Sequence, residues 1–248
     1  MSRPLILVSN DDGIRARGLR VLAELAAEFG EVIVCAPTHE RSGYSHAITL
    51  RSTLRSEHAP EFGERWYAVS GTPVDCVYFG ALHLCKRLPD LVLSGINPGY
   101  NLGADVFYSG TVGAAREGLI RGCSGLAVSV EGDAKPEITA PFVRELVPRL
   151  LARHAAGERH LLNLNVPGDG APKGMRATGL GHRRYQDQVS EREDLSGRSY
   201  FWIGGPPAPI EGEGESDTGL INRGYATLTP LELDITAPSL ESWRTELS

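Results

Sequence analysis

Residues 4–36, PLILVSNDDGIRARGLRVLAELAAEFGEVIVCA, predict a strand, a helix and a second strand. Residues 4–9 are a short aliphatic run without polar alternation, which is typical of a parallel strand buried on both faces. Residues 18–29 carry leucine, alanine and phenylalanine at helical spacing, and the pattern stops at Gly30. The aliphatic run at residues 31–36 completes a β-α-β unit, whose connection length favours parallel strands joined by a right-handed crossover.

The same alternation of strands and helices continues through the first two-thirds of the chain. It predicts further strands at residues 66–70, 90–94, 125–130 and 159–166, and further helices at residues 72–84, 109–121 and 138–155. Strands that alternate with helices in this way indicate an α/β fold, in which a mostly parallel sheet is covered by helices on both faces.

The pattern changes after Pro167. Residues 168–181 are rich in loop-forming residues, and residues 204–219 are rich in glycine, proline and glutamate, whereas the sequence predicts extended segments at residues 200–203 and 224–233. Helical periodicity returns only in the last few residues. We therefore interpret residues 168–248 as a smaller β-rich region with an extended hairpin, and residues 1–167 as the main domain.

Composition narrows the class of protein. The 248 residues include 29 glycines and 16 prolines without a fixed period, which together with 41% hydrophobic residues indicates a globular protein rich in turns. The net charge of −6 argues against a protein that binds duplex nucleic acid. The four cysteines form no C-x-x-C pair, so we expect buried free thiols. Because the N-terminal apolar run is too short for a signal peptide or a membrane span, we expect a cytoplasmic protein without membrane association.

Polar loops follow the predicted strands at residues 10–13, 37–46 and 94–101, and in an α/β sheet such loops meet at the carboxyl edge. Asp11 and Asp12 are adjacent carboxylates, which suit a hard divalent cation such as Mg²⁺ or Mn²⁺. In the alternative interpretation, one aspartate caps the following helix and the other is solvated. A hydroxyl at Ser42 and an amide oxygen at Asn97, arriving from two other strand ends, favour the metal interpretation.

A second candidate feature is a helix start with small and hydroxylated residues. Asn101 precedes Ser109, Gly110 and Thr111, and free backbone N–H groups at a helix N-terminus attract anions, so these residues are candidates to bind phosphate. The alternative is an ordinary capped helix whose small residues allow close packing on the sheet. The position of this helix start near the acidic pair favours phosphate binding.

Other motifs are absent or weak. The sequence has no G-x-G-x-x-G after the first strand, no P-loop and no G-x-S-x-G nucleophile elbow. His39 and His46 could assist proton transfer, although a single histidine in a loop is more often a surface residue. We interpret residues 183–184, both arginine, as a solvated loop rather than a phosphate clamp. A nucleotide base could stack on one of three tyrosines, although each could equally pack on its own domain: Tyr44, Tyr100 and Tyr108.

Five runs in this order resemble the survival protein SurE family: SNDDG at 9–13, RSG at 41–43, SGTPVDCV at 70–77, SGINPGYNLG at 94–103 and YSGTVGAA at 108–115. The resemblance extends to residues 163–167, 202–204 and 224–231, and so covers nearly the whole chain. The family comprises metal-dependent 5′/3′-nucleotidases, some of which also act on short polyphosphate. The resemblance therefore implies an enzyme that hydrolyses nucleoside monophosphates to nucleoside and phosphate.

The resemblance also implies a Rossmann-like N-terminal domain, one divalent cation (Mg²⁺ or Mn²⁺) per subunit, and a homodimer or homotetramer with exchanged C-terminal elements. By motif match, the metal ligands are Asp11, Asp12, Ser42 and Asn97, and the two aspartates are also the catalytic residues. The substrate-binding positions are Asn10, Asn101, Ser109, Gly110 and Thr111. Two alternatives stay open, namely a non-catalytic nucleotide-binding regulator and a hydrolase of short polyphosphate or another ester.

Overall fold

A computed structural model describes residues 3–168, 170–183, 185–186, 188–205 and 214–247. The strands are Leu5–Ser9 (β1), Glu31–Pro37 (β2), Ser56–His58 (β3), Trp66–Val69 (β4), Leu91–Pro98 (β5), Ser124–Val130 (β6), Leu161–Val166 (β7), Met175–Ala177 (β8), Gln188–Glu193 (β9), Ser199–Gly204 (β10) and Ala226–Leu231 (β11). The α-helices are Arg17–Ala27 (α1), Pro73–Phe79 (α2), Gly110–Ile120 (α3), Ala140–Ala155 (α4), Asp217–Asn222 (α5) and Leu240–Glu246 (α6). A π-helical turn, Gly80–Leu84, continues α2, and 3₁₀ turns occupy Gly103–Phe107 and Pro136–Thr139.

Nine of these strands form one sheet in the order β3-β4-β2-β1-β5-β6-β7-β11-β8. The six strands from β4 to β7 are parallel to one another, and their order is that of a Rossmann-like sheet. The predicted α/β fold class is therefore confirmed. Strand order reverses between β1 and β5, and ligands of such sheets bind in the crevice outside the carboxyl ends of the strands at that point.

Helices cover both faces of the sheet because successive residues of its strands point to opposite sides. In β1, Ile6 and Val8 pack in a cluster with α1 and α4, whereas Leu5 and Leu7 pack in a second cluster with α2. The second cluster contains all four cysteines, which are free and buried, as predicted: Cys35, Cys76, Cys85 and Cys123. Burial raises the pKa of Cys85 to about 12 and that of Cys123 to about 11, so these two thiols are not nucleophiles at neutral pH.

Four short strands or α-helices were not predicted from the sequence: β3, β8, β9 and α5. The strand β3 is polar and fully exposed, so it has no apolar alternation, and β8 has only three residues. The helix α5 is six residues long and contains Gly219, so its helical period is too short to recognise, and the expectation that helix returns only at the chain end was wrong. By contrast, all four predicted helices of the first two-thirds are present.

The C-terminal part of the chain contributes to two sheets. β11 and β8 extend the β7 edge of the main sheet, with β11 antiparallel to β7. β9 and β10 form a separate antiparallel hairpin, as predicted, and the side chains of β10 are exposed. Part of the glycine- and proline-rich segment, residues 206–213, lies outside the described residues. The division of the chain into domains at residue 167 stays a prediction.

No helix in the described part of the chain is long and apolar enough to cross a membrane.

The approach of α1 to β5 predicts an unusual effect of alanine at a helical glycine. An added Cβ at Gly18 would overlap the carbonyl oxygen of Ile96 and lie 3.0 Å from its carbonyl carbon. Alanine normally stabilises a helix interior by about 1 kcal/mol relative to glycine, but here we expect Gly18→Ala to destabilise the protein by about 2 kcal/mol through overpacking. The measurement is urea unfolding. The control is Gly132→Ala, where an added Cβ meets nothing within 4 Å; equal unfolding midpoints for the two variants would contradict the close approach.

Candidate active site

The loops that follow β1, β2 and β5 meet at the carboxyl edge of the sheet, around a cavity of about 830 Å³. The 3₁₀ turn Gly103–Phe107 and the N-terminus of α3 complete the wall on one side. Six of the nine predicted metal- and substrate-binding residues line this cavity: Asp11, Asp12, Ser42, Asn97, Asn101 and Ser109. The fold thus brings together the loops that were expected to converge, whereas the chemical role of each residue stays a prediction.

The other three predicted site residues lie behind the cavity wall. Asn10 is fully buried, and its Nδ2 donates to the carbonyl oxygen of Gly13 over 3.1 Å. The hydroxyl of Thr111 donates to Oδ1 of Asp11. At Gly110, an added Cβ would lie 2.9 Å from the Cβ of Asp11, so a larger residue there would displace the carboxylate. The contacts of Thr111 and Gly110 fix the position of Asp11, and none of the three residues is among those that line the cavity.

The two adjacent aspartates are electrostatically unfavourable as they stand. Burial raises the pKa of Asp11 above its ordinary value. Burial, followed by the neighbouring charges of Asp11 and Glu40, raises the pKa of Asp12 to about 7. Moreover, Oδ2 of Asp12 is buried without a hydrogen-bond partner. A buried acidic oxygen without a donor requires a proton or a cation, and a divalent cation would compensate both carboxylates at once.

Two neutral oxygens complete a donor set of the kind that hard cations prefer. The hydroxyl of Ser42 donates to Oε1 of Glu40 over 2.8 Å, which leaves lone pairs on its oxygen. Nδ2 of Asn97 donates to the carbonyl oxygen of Gly99 over 2.7 Å, which leaves Oδ1 as the free acceptor. The pairing of β5 with β6 shifts register between Gly95 and Asn97, and such an irregularity redirects the side chain that follows it.

Within the described part of the chain, no group of three or more His, Cys, Asp or Glu side chains is arranged to hold a metal ion. A cation bound by Asp11 and Asp12 would therefore depend on the neutral oxygens of Ser42 and Asn97 as well. Oxygen ligands of this type fit Mg²⁺ or Mn²⁺ better than a soft ion such as zinc.

Asn101 is held in place by a buried polar network that the sequence analysis did not assign. Its backbone N–H donates to Oδ1 of Asn165 and its Nδ2 donates to Ser129 Oγ, both over 2.8 Å. Nδ2 of Asn163 donates to the backbone carbonyl of Asn101 over 2.8 Å. One hydrogen on the amide nitrogen of Asn101 remains available to a ligand. The signal for this network was two asparagines spaced two apart in an otherwise apolar strand, LLNLNV.

The start of α3 combines both interpretations of its sequence. Ser109 is the N-cap residue, and its Oγ accepts a hydrogen bond from the backbone N–H of Val112 over 3.1 Å. Close packing is present as well, since an added Cβ at Gly113 would lie 2.6 Å from the carbonyl oxygen of Ser45. At the same time Ser109 lines the cavity, so the positive end of the helix dipole faces the acidic pair.

Contacts on both sides of Ser42 fix the loop that carries it. The backbone N–H of Arg41 donates to the carbonyl oxygen of Asp11 over 2.6 Å.

His46 was interpreted as a surface residue, but its Nε2 lies 2.9 Å from Oε2 of Glu117, whose side chain is 4% exposed. His39 is exposed, as expected. His46 departs from its predicted surface position because the buried carboxylate of Glu117 requires partners. His46 is one of them, and Arg121 is the second, over 3.0 Å.

The structure also separates the three tyrosines. Tyr100 and Tyr108 line the cavity, and Tyr108 is 70% exposed. Tyr44 does not line it, and the guanidinium of Arg41 lies 5.3 Å from the centre of its ring. Tyr44 therefore packs against its own loop.

The prediction for Arg183 was wrong. The position was interpreted as a solvated loop, but its side chain is only 11% exposed and lines the cavity together with Tyr185. The contact that buries it is an ion pair with Asp105, a residue 78 positions away, which local sequence cannot show. Residue 184 lies outside the described residues.

Comparison with known proteins shows the family and agrees with the fold. The family described as survival protein SurE matches residues 6–187 of the chain. The 5′-nucleotidase SurE of Aeromonas hydrophila is 44% identical over 94% of this chain and 94% of its own length. The corresponding protein of Caldanaerobacter subterraneus is 38% identical over the full length of both chains.

A solved structure shares the architecture. The crystal structure of the SurE protein from Aquifex aeolicus superposes with a TM-score of 0.83 at 34% identity, covering 99% of this chain and 100% of that one. Since both the sequence match and the structural match span nearly the whole chain, the protein belongs to the SurE family.

Proposed function

We propose that the protein is a metal-dependent phosphatase that hydrolyses nucleoside 5′- and 3′-monophosphates to nucleoside and inorganic phosphate. The observation that carries the proposal is the buried, unpartnered oxygen of Asp12 beside Asp11, at the strand-order reversal and facing a cavity. This negative charge is suited to a cation that in turn receives an anionic substrate. The relatives named 5′-nucleotidase SurE support the same reaction.

SurE enzymes are generally metal-dependent, and the donor atoms of this chain suit one divalent cation per subunit, Mg²⁺ or Mn²⁺. The residues that would hold it are Asp11, Asp12, Ser42 and Asn97. When bound, such a cation polarises the phosphoryl group and lowers the pKa of a water molecule.

The chain's own residues orient and stabilise the reacting phosphate. Thr111 holds Oδ1 of Asp11 and so leaves Oδ2 to face its ligand. The remaining N–H of Asn101 and the backbone N–H of Gly110 at the start of α3 donate to phosphoryl oxygens, whose charge increases in the transition state. Hydrolysis adds water across the P–O bond, so the oxygen of the broken bond leaves with the nucleoside as a hydroxyl.

We also propose a cytoplasmic location, which the free and buried state of all four cysteines supports. A homodimer or homotetramer with exchanged C-terminal elements is part of the same proposal. The hairpin β9–β10 supports it because large apolar side chains of β10 are exposed, with Trp202 at 65% and Ile203 at 88%. Apolar side chains that cluster on a projecting element are typical of a protein interface.

The first prediction concerns the reaction itself. We expect phosphate release from nucleoside 5′- and 3′-monophosphates in Mg²⁺ or Mn²⁺, and loss of that release in EDTA. The measurement is a colorimetric phosphate assay over a panel of nucleotides, with short polyphosphate as an additional substrate. Nucleotide binding that survives EDTA without any phosphate release would instead indicate a non-catalytic regulator, and release confined to polyphosphate would change the substrate class.

The second prediction concerns Asp11. We expect Asp11→Asn to lower kcat/KM by more than about 100-fold, since even partners of metal ligands contribute about 10- to 100-fold. The fold stays intact, because asparagine keeps an acceptor for the Thr111 hydroxyl. It also removes the carboxyl group of Asp11, whose pKa is raised by burial. With Mn²⁺ at 100 times its Kd, wild type gains about 2.7 kcal/mol, so its Tm rises by roughly 5–10 °C.

Asp11→Asn should lose this Mn²⁺-dependent rise, and the exposed Asp133→Asn should keep both the activity and the rise. A metal-dependent Tm shift of full size in Asp11→Asn would remove Asp11 from the ligand set.

The third prediction concerns the hairpin. We expect wild type to have a mass that is a multiple of 26.7 kDa by light scattering, and Trp202→Glu combined with Ile203→Glu to shift it towards the monomer. The substitutions place charge where apolar contact is proposed. Arg192→Ala, on the opposite strand of the same hairpin, is the control. A wild-type protein that is monomeric at micromolar concentration would rule out the proposed assembly.

A further inference from the structure

Arg183 stands out in the charge balance of the cavity. Among the described residues that line it, Arg183 is the only one with a cationic side chain, whereas four lining residues carry carboxyl groups: Asp11, Asp12, Glu40 and Asp105. A bound divalent cation offsets two of these charges, so an anionic substrate still meets a net negative wall. A cationic side chain in that wall therefore contributes strongly to the electrostatic attraction of a phosphate-bearing ligand.

The backbone places Arg183 against the turn that joins Asn101 to Ser109. An added Cβ at Gly103 would lie 2.5 Å from the carbonyl oxygen of Gly181 and 3.1 Å from the backbone nitrogen of Arg183. The carboxylate of Asp217 accepts hydrogen bonds from the N–H groups of Gly103 and Gly181, over 2.8 and 2.7 Å. The segment before Arg183 is thus fastened to the element whose two ends are predicted to bind phosphate.

The guanidinium is oriented from one side only. Its Nε lies 3.0 Å from Oδ2 of Asp105 and donates to the hydroxyl of Tyr185 over 3.1 Å. That hydroxyl donates to Oδ1 of Asp105 over 2.7 Å. Nη1, by contrast, is buried and has no hydrogen-bond partner. An unpartnered buried donor on a charged group is costly, and a ligand that supplies an acceptor would remove that cost.

We propose that Arg183 is a substrate-binding residue whose Nη groups donate to the phosphate of the nucleoside monophosphate, an inference that rests on the proposed function. Phosphate is favoured over the sugar or the base because a guanidinium matches two phosphoryl oxygens in charge and geometry. Asp105 and Tyr185 are positioning residues, since they hold Nε of Arg183 and thereby orient its two Nη groups.

The test separates phosphate binding by Arg183 from a merely structural pairing with Asp105. We expect Arg183→Gln to raise KM for a nucleoside monophosphate, and the inhibition constant of inorganic phosphate, by about 10- to 100-fold, the range of a lost charged hydrogen bond. The inhibition constant of the free nucleoside should not change. Arg183→Lys keeps the positive charge without the planar guanidinium, so its KM and its inhibition constant for phosphate should lie between those of wild type and Arg183→Gln.

A double variant provides the decisive comparison. If Arg183 binds phosphate, Arg183→Gln combined with Asp105→Asn keeps the raised KM. If Arg183 serves only to neutralise Asp105, the double variant returns to the KM of Asp105→Asn alone, and the inference is wrong. Arg116→Gln is the matched control, because Arg116 donates to the carbonyl of Val106 in the same turn without lining the cavity.

Direct binding keeps this inference separate from the proposed reaction. Calorimetric titration of inorganic phosphate into the Mg²⁺-supplemented protein should show binding to wild type and at least about tenfold weaker binding to Arg183→Gln. If wild type releases no phosphate from any nucleotide but shows this difference, the reaction is wrong and the role of Arg183 stands. Equal losses of phosphate and nucleoside binding in Arg183→Gln and in Arg183→Lys would show a structural role and overturn the inference.

Discussion

The site depends on one electrostatic constraint, which is the burial of two adjacent carboxylates at the end of β1. Asp11 and Asp12 leave the sheet where strand order reverses, so they face the crevice and cannot be hydrated like surface residues. Burial and mutual repulsion raise the pKa of Asp12 to about 7. The fold maintains this arrangement because the packing of β1 between β2 and β5 is independent of it.

The same constraint accounts for the surroundings of the pair. Residues that contact it hold it in position rather than neutralise it: Thr111 donates to Asp11, and the N–H of Arg41 donates to the backbone of Asp11. Ser42 and Asn97 contribute neutral oxygens from two other strand ends. Under the proposed function, an acidic protein could in this way accept an anionic substrate, since a cation held by the carboxylates would face the ligand.

Sequence periodicity predicted the sheet and its helices because β1 is a continuous buried apolar run and α1 buries apolar residues at helical spacing. It also predicted which loops meet, because strand ends in an α/β sheet share one edge. It did not predict β3, whose residues are polar and exposed. Nor did it predict the place of Arg183, because burial there comes from pairing with Asp105 and from the fold of residues that are distant in sequence. Long-range pairing of charged side chains leaves no local pattern.

Asp217 and Asp12 differ in the hydrogen-bond donors that their carboxylates receive. This difference shows why Asp217 is structural and Asp12 is suited to bind a cation. Asp217 accepts hydrogen bonds from three backbone N–H groups, those of Gly103, Gly181 and Thr218, at 2.7 to 2.8 Å. These three donors satisfy the carboxylate oxygens of Asp217 without any ligand, and they fasten the C-terminal region to the cavity wall. Asp12 is half-buried, yet its Oδ2 is buried and has no donor. A buried carboxylate oxygen without a donor is destabilised alone and would be stabilised by a cation, so the unpartnered Oδ2 is what makes Asp12 suited to the proposed metal site.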